Sequence, residues 1–248
     1  MLNGAKQVAG RRTEDALVYL PHKSVVEYRR GQVIYDESQA SNGVYLVVRG
    51  RVKTSVPMDD GSQTVIEIFA AEDFFGESGL LELKQRGESA VALENTALMF
   101  WSTAEIEEQV ERQPKLGLAL IQTLVERCLD FEERLQSFAL DKTPERIMRA
   151  LLRFATRFGA RAEDGSVRIP PMTHQLISEY VGTSREIVTF QMNRLRLEGL
   201  IRYSRKGIEV HTEQLQEQLR RITEPELWRT AGGSEPGVFE IGRASCRV

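Results

Sequence analysis

The residues Thr183, Ser184, Arg185 and Glu186 form the clearest chemical pattern in the sequence. A capping hydroxyl followed three residues later by a glutamate is typical of the first turn of a helix. Near the N-terminus of a helix in the DNA major groove, arginine can donate two hydrogen bonds to guanine, and glutamate can accept from cytosine N4. Arg185 and Glu186 are therefore predicted to read bases in double-stranded DNA.

Two short helices are predicted to position these residues, as a helix-turn-helix over residues 172–201. Thr173 is the candidate N-cap of the first helix, and Gly182 separates the two helices. At about 100° per residue, the second helix has one face that packs and one that is displayed. The packing face carries Val188, Met192 and Leu195, and the displayed face carries Glu186, Thr189, Phe190 and Asn193. Ordinary packing of two amphipathic helices is the alternative interpretation.

A β-hairpin is predicted after the second helix, because residues 200–210 alternate apolar and polar on either side of a basic turn. Arg205 and Lys206 at its tip can contact phosphate, which would make the unit a winged helix-turn-helix. Residues 142–221 carry 15 Lys and Arg against 9 Asp and Glu, whereas residues 1–141 carry 15 against 23. The net charge of −3 hides this asymmetry, which is expected when only one domain contacts phosphate.

The N-terminal half is predicted to consist of short β-strands separated by glycine-containing turns. The predicted strands are 25–28, 32–35, 43–48, 51–56, 64–69 and 90–100. This pattern indicates an antiparallel barrel or a double-sheet jelly roll, either of which can enclose a small ligand. Such folds also host metal enzymes of the cupin type, but the segment 25–100 contains no histidine to hold a metal. We therefore predict that the protein is not an enzyme.

A short helix is predicted at 102–111, capped by Ser102 or Thr103, and a long helix then extends to about residue 140. Apolar residues of the long helix follow the 3, 4, 3, 4, 3 spacing of a coiled-coil seam. The seam residues are Ile121, Leu124, Cys128, Phe131, Leu135 and Phe138. Pairing with a second copy would give a parallel homodimer with its two reading helices one DNA turn apart. The alternative is that the stripe packs only on its own barrel.

The two cysteines, Cys128 and Cys246, are too few and too far apart for a disulfide framework, a zinc site or an iron-sulfur cluster. Cys128 is interpreted as a small buried hydrophobe, and a disulfide across the dimer axis is the alternative if the geometry allows it. The N-terminus lacks an apolar signal region, and no apolar run is long enough to cross a bilayer. We expect a cytoplasmic protein with no membrane partner.

The expected fold is α+β and divides into five segments. The segments are a flexible N-terminal arm (1–16), an effector-type β-barrel domain (17–112), a dimerisation helix (113–141), a winged helix-turn-helix DNA-binding domain (142–222) and a disordered tail (223–248). Thr143 is the candidate cap of the helix that opens the DNA-binding domain, and Pro144 suits its first position. The tail is assigned from its content of Gly, Glu, Ser and Pro.

Residues 23–210 resemble the Crp/Fnr family of bacterial transcription regulators. The resemblance is carried by Gly-Val-Tyr-Leu-Val-Val-Arg-Gly at 43–50, Asp-Phe-Phe-Gly-Glu-Ser-Gly-Leu-Leu at 73–81 and Thr-Ser-Arg-Glu at 183–186. It implies a cyclic-nucleotide-binding type barrel, a long dimer helix and a C-terminal winged helix. It also implies that Arg185 and Glu186 read one half of an inverted repeat near promoters, and that the dimer contacts RNA polymerase.

The resemblance also identifies a candidate effector pocket. Members of the family that bind cyclic AMP hold it with a Gly-Glu pair, an Arg-Ser-Ala triplet and hydroxyl residues on the long helix. The corresponding positions here are Gly76 and Glu77, then Glu88, Ser89 and Ala90, then Asp130 and Phe131. Glu88 stands where the arginine is expected, and a carboxylate repels a phosphate. Arg86 can substitute only if its loop folds back, so cyclic AMP is not the expected effector.

The resemblance also implies which residues other effectors of the family would need. Oxygen-sensing members use an N-terminal cysteine cluster, but the first cysteine here is Cys128, which argues against iron-sulfur. Haem is not expected, because only His22, His174 and His211 are available as histidine ligands and two of them lie in the DNA-binding half. Some relatives with an acidic residue in this pocket respond to cyclic di-GMP, so Glu88 leaves that effector open. A barrel without ligand, or one that serves as an interaction scaffold, is also left open.

Phe190 departs from the resemblance in the reading helix, because many relatives carry arginine at this position. Phenylalanine cannot hydrogen-bond to guanine but can contact the methyl group of thymine. We expect a half-site that keeps a guanine for Arg185 and differs nearby from the cyclic-AMP type.

Overall fold

The computed structural model describes residues 14–223 and, before them, a pair of two-residue strands, β1 (Gln7–Val8) and β2 (Arg11–Arg12). Most of the predicted arm at 1–16 and the predicted tail from residue 224 onward lie outside the described residues. A short 3-10 helix (Ala16–Val18) leads into the first domain.

Two four-stranded antiparallel sheets form the N-terminal domain. Their strands are β3 (Val26–Tyr28), β4 (Val33–Tyr35), β5 (Gly43–Arg49), β6 (Val52–Pro57), β7 (Gln63–Phe69), β8 (Phe74–Phe75), β9 (Ser89–Ala92) and β10 (Thr96–Ser102). One sheet has the order β3-β10-β5-β8 and the other has the order β4-β9-β6-β7. The double-sheet jelly roll is thus confirmed, and a closed barrel is wrong. Tyr35, Val47, Phe75 and Leu98 are buried in a core formed by residues of both sheets.

The predicted single strand at 90–100 is wrong, because it is two strands in different sheets. Strand β9 pairs with β4 and β6, whereas β10 pairs with β3 and β5. Thr96 lies just after the break, and its hydroxyl donates to the backbone carbonyls of Arg51 (3.1 Å) and Glu94 (2.9 Å). The break was not predicted because the residues on both sides of it are apolar, so residues 90–100 resemble one continuous strand. Strand β8 was not predicted, because two residues are too few to show an alternating pattern.

Within residues 14–223, six α-helices follow the N-terminal sheets, and the last three of them alternate with a second set of strands. They are α1 (Thr103–Arg112), α2 (Pro114–Leu140), α3 (Thr143–Phe158), α4 (His174–Val181), α5 (Arg185–Leu197) and α6 (Thr212–Thr223). Of the two predicted caps of α1, Ser102 is the one that caps the helix, and it does so in a capping box with Glu105. Helix α2 has 27 residues and is therefore about 40 Å long, which carries the chain from the β domain to the second domain.

The C-terminal domain consists of α3 to α6 and a small antiparallel sheet. Its strands are β11 (Ala160–Arg161), β12 (Val167–Ile169), β13 (Ile201–Ser204) and β14 (Gly207–Val210), in the order β11-β12-β14-β13. The predicted cap at Thr143 is wrong by one residue. Helix α3 already includes Thr143, and Lys142 lies at the N-cap, where its backbone N–H donates to Glu145. Helix α6 and strand β11 were not predicted.

The two domains share an apolar contact. Val65 and Ile68 of β7 are fully buried in the same cluster as Phe154 of α3 and Ile177 of α4. Lys53 of β6 forms an ion pair of 2.8 Å with Glu179 of α4 at the edge of this contact. The first helix of the helix-turn-helix is therefore packed directly on the effector-type domain.

Candidate nucleic-acid interface and effector pocket

The turn between α4 and α5 is built by a left-handed glycine. Gly182 has φ +69° and ψ +56°, and its N–H donates to Ser178 O at 2.9 Å. Thr183 also donates its N–H to Ser178 O, at 3.1 Å, so it completes the end of α4 and does not cap α5. The predicted cap at Thr183 is therefore wrong. Ser184 caps α5 instead, because its Oγ accepts from Ile187 N at 3.3 Å.

Thr173 caps α4 as predicted, with its Oγ1 accepting from Leu176 N at 3.1 Å. In α5, Val188, Met192 and Leu195 are buried, in agreement with the predicted packing face. The exposed face of α5 includes Arg185, Glu186, Phe190 and Asn193. Phe190 is 71% exposed, which is unusual for a large apolar side chain and leaves its ring available to a partner.

The carboxyl of Glu186 is held in its charged form at the start of α5. Hydrogen bonds from its own backbone N–H and from Ser184 hold the pKa of Glu186 below its usual value. Arg185 beside it is exposed and lies at the first residue of the helix. One donor side chain and one acceptor side chain are thus presented together at the end of a helix, as base reading requires.

A histidine joins the three elements of the candidate DNA interface. His174 of α4 lies 2.8 Å from Thr189 Oγ1 of α5 through Nδ1 and 2.8 Å from Tyr203 Oη of β13 through Nε2. Burial, and then the positive charge of Arg185, lower the pKa of His174. Thr189 is therefore engaged by its own chain. Sequence reasoning did not predict this cluster, because its members are 15 and 29 residues apart.

The hairpin of β13 and β14 forms the wing, and Arg205 and Lys206 are exposed at its tip. Strand β14 is buried and pairs with β12 on its other side, so the sheet fixes the wing beside the helix-turn-helix. The predicted readers at the start of α5 and the predicted phosphate contacts therefore belong to one folded unit.

The candidate effector pocket contains a buried arginine. Gly76, with φ +76°, begins a 3-10 helix (Glu77–Leu81), and a Cβ on it would lie 2.9 Å from Arg86 Nη1. Arg86 is only 3% exposed and donates to Gly76 O at 3.4 Å and to Gly43 O at 3.3 Å. Its guanidinium carbon lies 4.0 Å from the ring centre of Tyr35. The loop that carries Arg86 thus folds back toward Gly76.

Glu88 is held at the edge of this pocket by a tyrosine. Its Oε1 accepts from Tyr35 Oη at 2.8 Å. Burial raises the pKa of Glu88, and the hydrogen bond from Tyr35 offsets part of that effect. The neighbouring Ser89 donates its hydroxyl to the carboxylate of Glu37, and Ala90 is fully buried. Two of the three triplet positions are therefore engaged by side chains of the protein itself.

The long helix reaches the pocket through a residue that was not predicted. Arg127 of α2 forms an ion pair with Glu77 and donates to Phe74 O at 2.6 Å. Asp130 is instead ion-paired with Arg153 of α3 at 2.8 Å. Phe131 is half-buried, and the guanidinium carbon of Arg134 lies 6.0 Å from its ring centre. The sequence shows only that Arg127 is a basic residue directly before the predicted seam residue Cys128, which does not indicate a contact with Glu77.

An apolar stripe is exposed along α2. Of the six predicted seam residues, Ile121, Cys128, Leu135 and Phe138 are exposed, and Leu124 and Phe131 are half-buried. Leu118, Val125 and Leu129 are also exposed on this helix, at 48%, 52% and 50%. The stripe is therefore broader than the predicted seam.

The described residues form neither a metal site of the usual ligands nor a membrane-spanning helix. Over that part of the chain, no three His, Cys, Asp or Glu side chains are grouped so that they could hold a metal ion. No helix in the same part is both long and apolar enough to span a membrane.

A ligand-pocket domain followed by a winged helix-turn-helix defines a class of DNA-binding regulators, and comparison with known proteins agrees with it. The cyclic nucleotide-binding domain model matches residues 25–113, and the Crp-like helix-turn-helix domain model matches residues 145–218. The chain belongs to the Crp/Fnr family of transcription regulators. Its helix-turn-helix is a DNA-binding domain.

Individual relatives are distant but extend over most of the chain. The global nitrogen regulator of Synechocystis sp. is 29% identical over 191 residues, covering 75% of this chain and 84% of the relative. The CRP-like cAMP-activated global transcriptional regulator of Mycobacterium tuberculosis is 25% identical over 184 residues, covering 74% and 82%. The structure of the c-di-GMP responsive global regulator CLP of Xanthomonas campestris superimposes with a TM-score of 0.67 at 21% identity, covering 79% and 97%.

Proposed function

We propose that this regulator acts in the cytoplasm as a homodimer on an inverted-repeat promoter site, in contact with RNA polymerase, and that its effector-type domain does not respond to cyclic AMP. The observation that carries the DNA-reading part is the paired display of Arg185 and Glu186 on the first turn of α5. A single half-site contains only a few base pairs and therefore discriminates weakly against other genomic sequences. Two half-sites related by two-fold symmetry give the specificity that recognition of a promoter requires.

The exposed stripe on α2 supports the homodimer. Monomeric proteins rarely expose a continuous apolar surface along a helix of about 40 Å. A second copy of the same helix would cover Ile121, Val125 and Leu135 with a matching surface, as a two-fold axis requires. The extreme C-terminal end of α2 joins α3 through Asp141 and Lys142, so pairing of α2 would also set the separation of the two α5 helices.

Glu88 supports the absence of a cyclic AMP response. Its carboxyl lies at the position where the family's cyclic AMP binders have arginine, and it accepts a hydrogen bond from Tyr35. Arg86 brings a guanidinium into the pocket, but it is stacked on Tyr35 and bonded to the carbonyls of Gly43 and Gly76. A phosphate would have to displace those carbonyl contacts while remaining close to Glu88.

The test of DNA reading is selection of sites from random DNA, followed by titration of the selected site with the full chain at several salt concentrations. An inverted repeat, with affinity that falls as salt rises, is expected. Arg185→Ala is expected to weaken the selected site by ~1–3 kcal/mol and to relax the choice of base at one position. Arg194→Ala is the matched control, because Arg194 lies on the same helix but pairs with Glu198 at 2.8 Å. Sequence-blind binding that is insensitive to salt, or no binding, would favour an interaction scaffold.

A second candidate for the effector is cyclic di-GMP. The observation that favours it is the acidic Glu88 beside the buried Arg86, together with the structural likeness to the c-di-GMP responsive regulator CLP. Calorimetry of the full chain with cyclic AMP and with cyclic di-GMP separates the alternatives. Tight, stoichiometric binding of cyclic AMP would overturn the proposal, and binding of cyclic di-GMP that is lost in Glu88→Gln would support the second candidate.

A further inference from the structure

The histidine cluster of the candidate DNA interface has a defined direction of hydrogen bonding. The hydroxyl of Thr189 donates to the backbone carbonyl of Arg185 at 2.9 Å. Because a hydroxyl has a single proton to donate, Thr189 Oγ1 acts as the acceptor toward His174 Nδ1, which lies 2.8 Å away. Nδ1 therefore carries a proton. In the neutral ring the other nitrogen, Nε2, is then an acceptor, and the hydroxyl of Tyr203 donates to it across 2.8 Å.

This chain of hydrogen bonds joins the wing to the reading helix through α4. Tyr203 lies on β13, His174 is the first residue of α4, and the carbonyl of Arg185 belongs to the first turn of α5. His174 is half-buried and Tyr203 is 42% exposed. Both rings are therefore at the surface where α5 meets the hairpin whose tip carries Arg205 and Lys206.

The charged groups that act on these two rings are cations of α5. Burial, and then the positive charge of Arg185, lower the pKa of His174. Burial raises the pKa of Tyr203, and the positive charge of Arg196 offsets part of that effect. In the described part of the chain, neither ring is hydrogen-bonded to a carboxylate. His174 is therefore mostly neutral in the free protein near neutral pH, and Tyr203 keeps its hydroxyl proton.

A second proton on His174 would keep both contacts of the ring but reverse one of them. Nε2 would become a donor and Tyr203 Oη its acceptor, so the hydroxyl proton of Tyr203 would point away from the ring and could be donated to another group. The ring would also gain a positive charge near Arg185, which is unfavourable in the free protein. The phosphates of bound DNA would favour that charge and would accept the hydroxyl proton of Tyr203.

We propose that His174 is a positioning residue that takes up a proton when the protein binds DNA, and that in its charged form it holds Tyr203 beside α5 with the tyrosine hydroxyl directed at a backbone phosphate. The inference rests on the proposed reading of DNA by α5, and it adds a residue that acts through Tyr203 and not on a base. Phosphate raises the pKa of His174 in the complex above its value in the free protein. Affinity for DNA therefore increases as pH falls through these two values, and the gain is lost as pH rises.

The test measures the affinity of the full chain for its selected DNA site at constant salt concentration. Uptake of one proton is expected to strengthen binding about tenfold between pH 8 and pH 6. His174→Gln, which cannot take up the proton, is expected to remove most of this increase. His211→Gln is the matched control, because it removes another histidine of the same domain that is not part of the hydrogen-bonded chain, and it should leave the increase unchanged. Tyr203→Phe is expected to weaken binding more at pH 6 than at pH 8, because the hydroxyl can be donated to phosphate only when His174 is charged.

Nuclear magnetic resonance of the two imidazole nitrogens of His174 gives a second measurement that needs no variant, and it decides alone if His174→Gln melts at a lower temperature. The neutral ring is expected to carry its proton on Nδ1, and the pKa of His174 is expected to be higher with DNA than without it. A proton on Nε2 of the neutral ring, an equal pKa with and without DNA, or an unchanged pH dependence in His174→Gln would overturn this inference and leave the proposed DNA site intact. Absence of DNA binding at every pH would overturn the proposed function together with the inference.

Discussion

Arg157 of α3 donates to Glu67 of β7 at 2.5 Å, across the boundary between the DNA-binding domain and the effector-type domain. Glu67 has a side-chain exposure of only 2%, and it also accepts from the N–H of Ile68 at 2.9 Å. The second nitrogen of Arg157 reaches Asp73 at 3.1 Å. A buried carboxylate is costly without a cation, so the docking of the two domains and the neutralisation of Glu67 are coupled.

The first prediction concerns this ion pair. Arg157→Met is expected to lower the free energy of unfolding by ~3–5 kcal/mol, because it leaves the Glu67 carboxylate buried and uncompensated. Urea unfolding of the full chain measures the change. Replacement of both residues, by Glu67→Gln with Arg157→Met, should cost less than Arg157→Met alone. Arg194→Met, which breaks an exposed pair with Glu198, is the control and should cost less than ~1 kcal/mol. Equal losses of unfolding free energy in Arg157→Met and Arg194→Met would contradict this prediction, because they would show that Glu67 does not need Arg157 as a partner.

The second prediction concerns the pH dependence of stability. Because burial raises the folded-state pKa of Glu88, the folded protein binds more protons than the unfolded chain at pH values above the ordinary 4.5. Stability from this group is therefore present at low pH and is lost as pH rises through the raised pKa. Glu88→Gln, which keeps an acceptor for Tyr35, is expected to stabilise the protein on the order of 1 kcal/mol near pH 8 and to be nearly neutral near pH 4.5.

Thermal unfolding at the two pH values checks this expectation. Glu107→Gln, an exposed change on α1, controls for the loss of one negative charge. A difference between Glu88→Gln and the unchanged protein that is the same at both pH values would contradict it.

Elements whose pattern is local were predicted well from the sequence. The packing face of α5 follows from the spacing of Val188, Met192 and Leu195, and the wing follows from alternation around its basic turn, because each needs only neighbouring residues. Helix α6 was missed even though Leu215 and Leu219 are buried at a spacing of four, so a usable signal was present.

Contacts between distant parts of the chain could not be predicted from local patterns in the sequence. Arg127 meets Glu77 across 50 residues and Arg157 meets Glu67 across 90, and no local periodicity encodes which of many arginines does so. The break between β9 and β10 was hidden for a related reason, since both strands are apolar and only tertiary pairing assigns them to different sheets. The family resemblance identified the positions that correspond to the pocket. It did not predict that Arg86 is buried beside Gly76 or that Asp130 pairs with Arg153 of α3.

The third prediction concerns the dimer. Val125→Asp and Leu129→Asp each introduce a charge on the exposed stripe of α2 and are expected to convert the proposed dimer to monomer, because a charge buried at a two-fold interface appears twice. Light scattering after size-exclusion chromatography measures the mass. Leu197→Asp, at 82% exposure on α5, is the matched control and should leave the mass of the dimer unchanged. A monomeric unaltered protein, or a dimer that survives both changes on α2, would contradict the proposed interface.

The fourth prediction concerns base specificity at Phe190. Its ring is 71% exposed one helical turn after Glu186, so it is placed to contact a thymine methyl but not to hydrogen-bond to a base. Selection from random DNA is expected to return a half-site that keeps a guanine for Arg185 and has a thymine nearby. Phe190→Arg should shift the preference at that one position toward guanine by ~1–3 kcal/mol, since arginine can donate two hydrogen bonds to it.

The control for Phe190 is Lys206 at the tip of the wing. Lys206→Ala is expected to weaken binding about equally for all sequences and to reduce the slope of affinity against salt concentration by about one unit, because it removes one phosphate contact. A specificity change in Phe190→Arg with an unchanged salt slope would therefore separate base reading from phosphate binding. If Phe190→Arg instead weakened all sites uniformly, or if the unaltered protein selected the cyclic-AMP type half-site, the ring of Phe190 would not be a base contact, and the exposed face of α5 would read DNA without it.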